Sequence, residues 1–228
     1  MRAVDHIFIS RWDHVNAGVA VSNIDLRSSK EMTMIEGNSY TYMKWVGISG
    51  SWRKLNKEIE EEVRSTVRNV MADGKGIVTG GALGVDFLAT DEALKEDPKA
   101  ERIKVFLPTT LEKYAEHYRR HAMLGTITYT QAEDLIKQLT NLRALNLKAL
   151  IENPDTNFTD ETKQRMYYER NSRVVDASDE LIAFRVKTKR SQSMGTDDAV
   201  KKAHVKGIPV ELHMYDFADE IKTVVETE

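Results

Sequence analysis

Two glycine-rich stretches carry the residue types best suited to chemistry. The first reads Gly47-Ile48-Ser49-Gly50-Ser51 and the second Gly80-Gly81-Ala82-Leu83-Gly84-Val85-Asp86. Each ends a short apolar run and precedes a stretch with helical character. Glycine lets backbone N–H groups approach an anion closely, and a helix N-terminus adds a favourable dipole. Gly47, Ser49, Gly50 and Ser51 would supply donors at one helix start, and Gly80, Gly81, Ala82 and Gly84 at the next. Asp86 could accept from ribose hydroxyls or a base amino group, or simply complement its own helix dipole. Tight strand-to-helix turns also use glycine for steric reasons alone.

Other groups add to this set. Arg170 offers a fork for bidentate contact with a phosphate, with Asn171 beside it; an ion pair with Glu169 is the plainer reading of that arginine. Ser193, Gly195 and Thr196 open a helix that contains Ala199, Val200 and Ala203. Asp197 and Asp198 in its first turn would stabilise the helix but repel a bound phosphate. Arg185, Lys187, Lys189 and Arg190 either steer a polyanion or form a solvated strand edge. Tyr114, Tyr118, Tyr167 and Tyr168 either stack on a base or staple helices to a core. His117 and His121 stand four apart, but no Glu lies between them as in H-E-x-x-H and no third ligand is suggested. Neither a metal nor a cofactor is expected.

The standard nucleotide fingerprints fail. Thr79–Gly84 lacks the first glycine of G-x-G-x-x-G, and Gly76–Gly81 has P-loop spacing with Ala82 where Lys is needed. The absence of cysteine excludes disulfides, thiolate nucleophiles and thiolate metal sites.

The elements that hold these residues follow from apolar periodicity. Lys44–Ser49 is a short apolar run that reads as a buried strand. Lys54–Met71 carries Leu55, Ile59, Val63, Val67, Val70 and Met71 at spacings of three and four, one helical face closed by Asp73-Gly74. Gly76–Thr79, Ile103–Leu107, Leu181–Phe184 and Ile208–Leu212 read as further strands, with a second helix at Val85–Leu94. Strands alternating with helices imply a doubly wound α/β domain with a mainly parallel, Rossmann-like sheet. Ligands of such sheets bind beyond the C-terminal strand ends, where both glycine turns fall. Between Leu111 and Tyr168 no strand is evident. Leu135, Leu139, Leu142 and Leu145 recur at helical spacing and predict a helical insertion at about 120–166, packed on its own domain or pairing a homodimer. Residues 1–43 read as an N-terminal extension, with short strands at Ile7–Ser10 and Val19–Val21 and a patternless stretch at Asn23–Asn38. Residues 44–228 form the main domain.

With 228 residues, 41% hydrophobic and 30% charged, the chain has material for a sizeable core and a well-solvated surface. Its net charge of −3 argues against binding nucleic acid by net charge alone. No run approaches the length of a membrane span, and Asp5 and His6 interrupt the only apolar patch near the start, so no membrane partner and a cytoplasmic location are expected.

The ordered pattern G-x-S-G-S, T-G-G-A-x-G-V-D-x-x-A-x-x-x-A-L, R-N and S-x-G-T resembles the SLOG superfamily. That group includes the Rossmann-like domain of the DNA-processing protein DprA (Smf) and the LOG-type nucleotide hydrolases. The resemblance spans Lys44–Leu212 with the helical insertion set aside, and Gly80–Asp86 is its most specific block. It implies a pocket for a nucleotide or nucleotide-derived signal, in a sensor or regulatory module, or for single-stranded DNA as in the DprA branch. It also admits an N-glycosidase or phosphoribohydrolase acting on nucleoside monophosphates, with Asp86 or Glu169 as the catalytic carboxylate. The P-G-G-x-G-T-x-x-E signature of the LOG hydrolases is not matched, and Val200 stands where its Glu would be.

Overall fold

The computed structural model describes residues 32–35, 39–52, 55–187 and 194–217. In chain order the elements are β1 (Met32–Ile35), β2 (Ser39–Tyr42), β3 (Trp45–Gly50), α1 (Lys57–Ala72), β4 (Gly76–Thr79), α2 (Val85–Glu96) and β5 (Ile103–Phe106). There follow α3 (Leu111–Met123), α4 (Tyr129–Leu145), β6 (Leu150–Ile151), α5 (Lys163–Asp176), β7 (Glu180–Lys187), α6 (Met194–Lys206) and β8 (Val210–Asp216). The strands expected at Ile7–Ser10 and Val19–Val21 lie outside the described residues. β1 and β2 pair antiparallel, so Met32–Ile35 is a strand within the stretch that shows no pattern in sequence.

Six strands form one parallel sheet in the order β6-β5-β4-β3-β7-β8. The chain runs outward from β3 to β6, then crosses back to lay β7 and β8 on the other side of β3. Strand direction of progress therefore reverses between β3 and β7, and helices cover both faces. The faces are visible in the alternation of β7. Ile182, Phe184 and Val186 join the core beneath α1–α4, whereas Leu181 and Ala183 pack with Ala199 and Ala203 of α6. This is the doubly wound α/β, Rossmann-like fold.

α1 forms as its periodicity predicts. Asn56 caps it by accepting the Ile59 N–H at 2.9 Å, and Ile59, Val63, Val67, Val70 and Met71 are buried. The strand expected at Ile208–Leu212 forms instead at Val210–Asp216. Ile208 is still engaged in ending α6, its N–H donating to the Ala203 carbonyl, and Pro209 has no N–H to give.

The segment between β5 and β7 corrects one expectation and meets another. It contains a strand, β6, which is only two residues long and so leaves no periodic trace. Its flank completes the β5 edge through Val105 N–H to Ala149 O at 2.7 Å and Leu107 N–H to Ile151 O at 2.9 Å. The α4 leucines Leu135, Leu139 and Leu142 are buried in the main core rather than offered outward. α3 and α4 thus complete one face of the domain, and of the four leucines Leu145 is the exposed one. Among the described residues, no helix is long and apolar enough to cross a membrane.

Candidate functional site

Where the strand order reverses, the ends of β3 and β4 and the facing sides of α3, α5 and α6 enclose a cavity of about 390 Å³. That volume falls in the range of small-molecule sites. Its floor is Ile48, Ser49 and Gly50 from β3 with Gly80 from the β4–α2 turn. Asp86 and Arg170 form its charged wall, and Trp52, His117, His121, Tyr167 and Tyr168 its aromatic one.

The charged wall is built around one oxygen. Asp86 Oδ2 accepts from Gly80 N–H at 3.2 Å, Ala82 N–H at 3.3 Å and Arg170 Nη1 at 3.2 Å. Both side chains are almost fully buried, at 8% and 11% exposure. Burial pushes the Asp86 carboxyl above the ordinary carboxylate range, while Arg170 and the Ala82 and Gly80 N–H groups pull it back. Burial opposes the Arg170 charge too, but Asp86 and the hydroxyls of Tyr114, Tyr167 and Tyr118 hold it above its ordinary value. Arg170 Nε is buried and has no hydrogen-bond partner among the described residues.

Glycine at position 80 is a steric necessity. A Cβ there would lie 1.1 Å from Arg170 Nη1, so the guanidinium packs directly over the bare backbone. Gly84 has a different task. Its φ is +77° and a Cβ would come 2.2 Å from the Ser51 carbonyl, which accepts the Val85 N–H at 3.0 Å. The two glycine turns thereby interlock, and α2 starts against the end of β3.

α6 closes the far side. Asn171 Nδ2 donates to Gly195 O at 3.2 Å and to Asp198 Oδ2 at 2.9 Å. Asp198 also receives Lys202 Nζ at 2.6 Å, and Asp197 receives Arg185 Nη2 at 3.0 Å. The two carboxylates that would repel an anion are thus each matched by a cation. Arg185 is tied into this pair rather than offered to a polyanion; Lys189 and Arg190 lie outside the described residues.

On the aromatic wall, His117 and His121 face each other with Nε2 atoms 3.1 Å apart, and Tyr167 Oη lies 3.3 Å from His117 Nε2. Burial, with His121 and Lys163 nearby, lowers His117 to about 4, so it is neutral near pH 7. Burial raises the Tyr167 phenol, which stays protonated. Tyr114 and Tyr118 sit deeper. Tyr118 Oη accepts the Leu83 N–H at 3.3 Å and meets Tyr114 Oη at 3.4 Å, so these two staple α3 to the glycine turn.

Of the residues singled out in the sequence, the fold brings Ser49, Gly50, Gly80, Asp86, Arg170, Asn171 and Gly195 to the cavity. Gly47, Gly81 and Gly84 serve close packing instead, and Ser51, Ala82 and Thr196 support the turns without lining it. Ser193 lies outside the described residues. Glu169 is not at the cavity. It is half exposed on the outer side of α5, paired with Arg165 at 2.6 Å, because α5 turns Arg170 inward and its neighbour outward. Trp52, Lys163, Gln164 and Met194 line the cavity without a sequence signal of their own. The helical spacing of Lys163, Gln164, Tyr167, Arg170, Asn171 and Val174 was the trace that marks one face of α5.

No protein-family model and no curated protein matches the chain. Solved structures with a similar backbone include the DNA processing protein A of Helicobacter pylori, whose single-stranded DNA binding mode has been described. It is 19% identical, with a TM-score of 0.49 over 74% of this chain and 64% of that one. DNA processing protein A (DprA) of Streptococcus pneumoniae is 17% identical, with a TM-score of 0.46 over 75% of this chain and 50% of that one. The molybdenum cofactor binding protein of Rippkaea orientalis is 18% identical, with a TM-score of 0.47 over 76% of this chain and 78% of that one. The chain thus spans less than two thirds of either DprA chain. Nothing about its ligand follows from these likenesses.

Proposed function

We propose that the cavity at the β3–β7 reversal binds a nucleotide or a nucleotide-derived molecule, in a sensor or regulatory role. One observation carries the reading: the Arg170 guanidinium is buried over Gly80, anchored at Nη1 by Asp86, and has its Nε unpaired. A buried donor without a partner is costly, and an anionic oxygen is the natural group to satisfy it. The first turn of α6, with Met194 and Gly195 at the cavity, adds backbone N–H groups that have no intrahelical acceptor. Trp52 and Tyr167 supply flat faces for a base. Asp86 is the only carboxylate lining the cavity among the described residues, which favours binding over a glycosidase using paired carboxylates.

Mass spectrometry of small molecules released from the denatured, purified chain is the direct test, with a nucleotide thermal-shift panel beside it. The expected result is a released nucleotide-class molecule, or a panel member that raises the melting temperature of the native chain but not of Arg170→Gln. No release and no shift with any member would overturn the reading. Free base appearing in the panel would favour the N-glycosidase alternative, and a shift by oligodeoxynucleotides alone would favour single-stranded DNA.

A further inference from the structure

The two histidines on the cavity wall are not needed by the anion site and have a geometry of their own. His117 and His121 stand one turn apart on α3, and their Nε2 atoms converge to 3.1 Å. Two imidazole nitrogens bound tetrahedrally to one metal ion at 2.0–2.1 Å would be about 3.3 Å apart. The observed 3.1 Å is close to that value, so little side-chain movement would seat an ion against both nitrogens. The rings stand edge to face, at 84° to each other with centroids 4.4 Å apart, and both line the cavity.

The protons are accounted for as follows. An Nε2–Nε2 approach of this length needs one donor and one acceptor, so one imidazole carries its lone pair at Nε2. A metal ion takes that lone pair directly, and the other histidine joins by moving its proton from Nε2 to Nδ1, which frees its own lone pair with no net change in charge.

We propose that His117 and His121 form a two-imidazole site for a borderline divalent transition metal such as Zn²⁺, Ni²⁺ or Cu²⁺, on the cavity wall and with open coordination positions facing inward. Among the described residues, no cluster of three His, Cys, Asp or Glu side chains exists, so the remaining positions fall to water or to an oxygen of a cavity ligand. Tyr167 Oη, 3.3 Å from His117 Nε2, is a protein oxygen placed to take one of them. The site does not depend on the nucleotide reading, and either stands if the other fails.

The test uses the full chain, freed of metal with a chelator and titrated with Ni²⁺, Cu²⁺ or Zn²⁺ alone by calorimetry. One ion per chain is expected, with Cu²⁺ bound most tightly. His117→Ala and His121→Ala should each weaken binding by at least the roughly 10–100-fold that loss of a mere outer-shell partner costs. His204→Ala, an exposed histidine on α6, should leave it unchanged. Electron paramagnetic resonance of the Cu²⁺-loaded native chain should show two equivalent nitrogen couplings, which decides the matter even if a variant folds poorly. No binding of any of the three ions at millimolar concentration, binding that survives in both variants, or a spectrum without two nitrogens would overturn it.

Discussion

Helix α2 carries a buried carboxylate at each end, and the two are served in opposite ways. Glu92, near the C-terminal end, accepts from Arg64 at 2.8 Å, Arg68 at 2.9 Å and Lys95 at 2.9 Å. Asp86, in the first turn, has one cation, Arg170. The two carboxylates are equally shielded from solvent, at 7% and 8% exposure, but Asp86 lies deep in the protein and Glu92 close to its surface. The cations differ in the same way. Those around Glu92 are 24–54% exposed and remain hydrated, whereas Arg170 is sealed in beside the acid. Burial raises both carboxyls. Lys95, Arg68 and Arg64 nevertheless bring Glu92 down to about 2, while Asp86 stays above its ordinary value. One cluster is fully satisfied and holds α1 to α2. The other leaves a buried N–H unpaired on a residue that lines the cavity.

The sharpest way to break this contrast is to remove one acid from each end. Asp86→Ala strands a buried guanidinium and two turn N–H groups, and should cost about 3–5 kcal/mol in urea denaturation. Replacing the whole pair, Asp86→Leu with Arg170→Met, should recover much of that loss while removing ligand binding. A single substitution no costlier than its Glu92 counterpart would undo the comparison.

Gly80→Ala attacks the same pair from below. Its Cβ would collide with Arg170, so a loss of about 1–3 kcal/mol is expected. The penalty should shrink when Arg170 is first truncated to Ala, and a double-mutant cycle reads that coupling directly. Additive losses would mean that the guanidinium does not rest on the glycine.

Glu92→Gln should have the smallest effect, about 1 kcal/mol near neutral pH, because its orphaned cations can rehydrate. Its pH dependence is the sharper test. The folded value of about 2 lies below the ordinary 4.5, so the stabilisation is fully present above pH 4.5 and disappears as pH falls towards 2. Stability of the native chain and of Glu92→Gln should therefore converge across that window.

Local pattern in the sequence revealed a good deal of this. The Ile59–Met71 face, the β4 strand and the glycine turns each depend on neighbours a few residues away, and each forms close to where it is expected. β6 was hidden because two residues are too few for any period. The α4 leucines announced a buried face but not its partner, since burial within a chain and burial against another copy leave the same spacing. The separation of Glu169 from Arg170 followed only once α5 had an orientation, as adjacent helical residues point about 100° apart.

By itself, the order of apolar runs and glycine turns determined a doubly wound α/β sheet with its anion-friendly turns at one edge. Hydrophobic period and glycine's missing Cβ act over a few residues, so they can be read along the chain. Only the tertiary structure decided which side chains share the cavity. The return crossover of α5 sets Arg170 beside Asp86, 84 residues earlier, and carries Tyr167 to the histidines of α3. It likewise pairs Asp197 and Asp198 with Arg185 and Lys202, turning an apparent obstacle to anions into a neutral rim. Such pairings depend on distance and burial in three dimensions, and residue order does not encode either quantity directly.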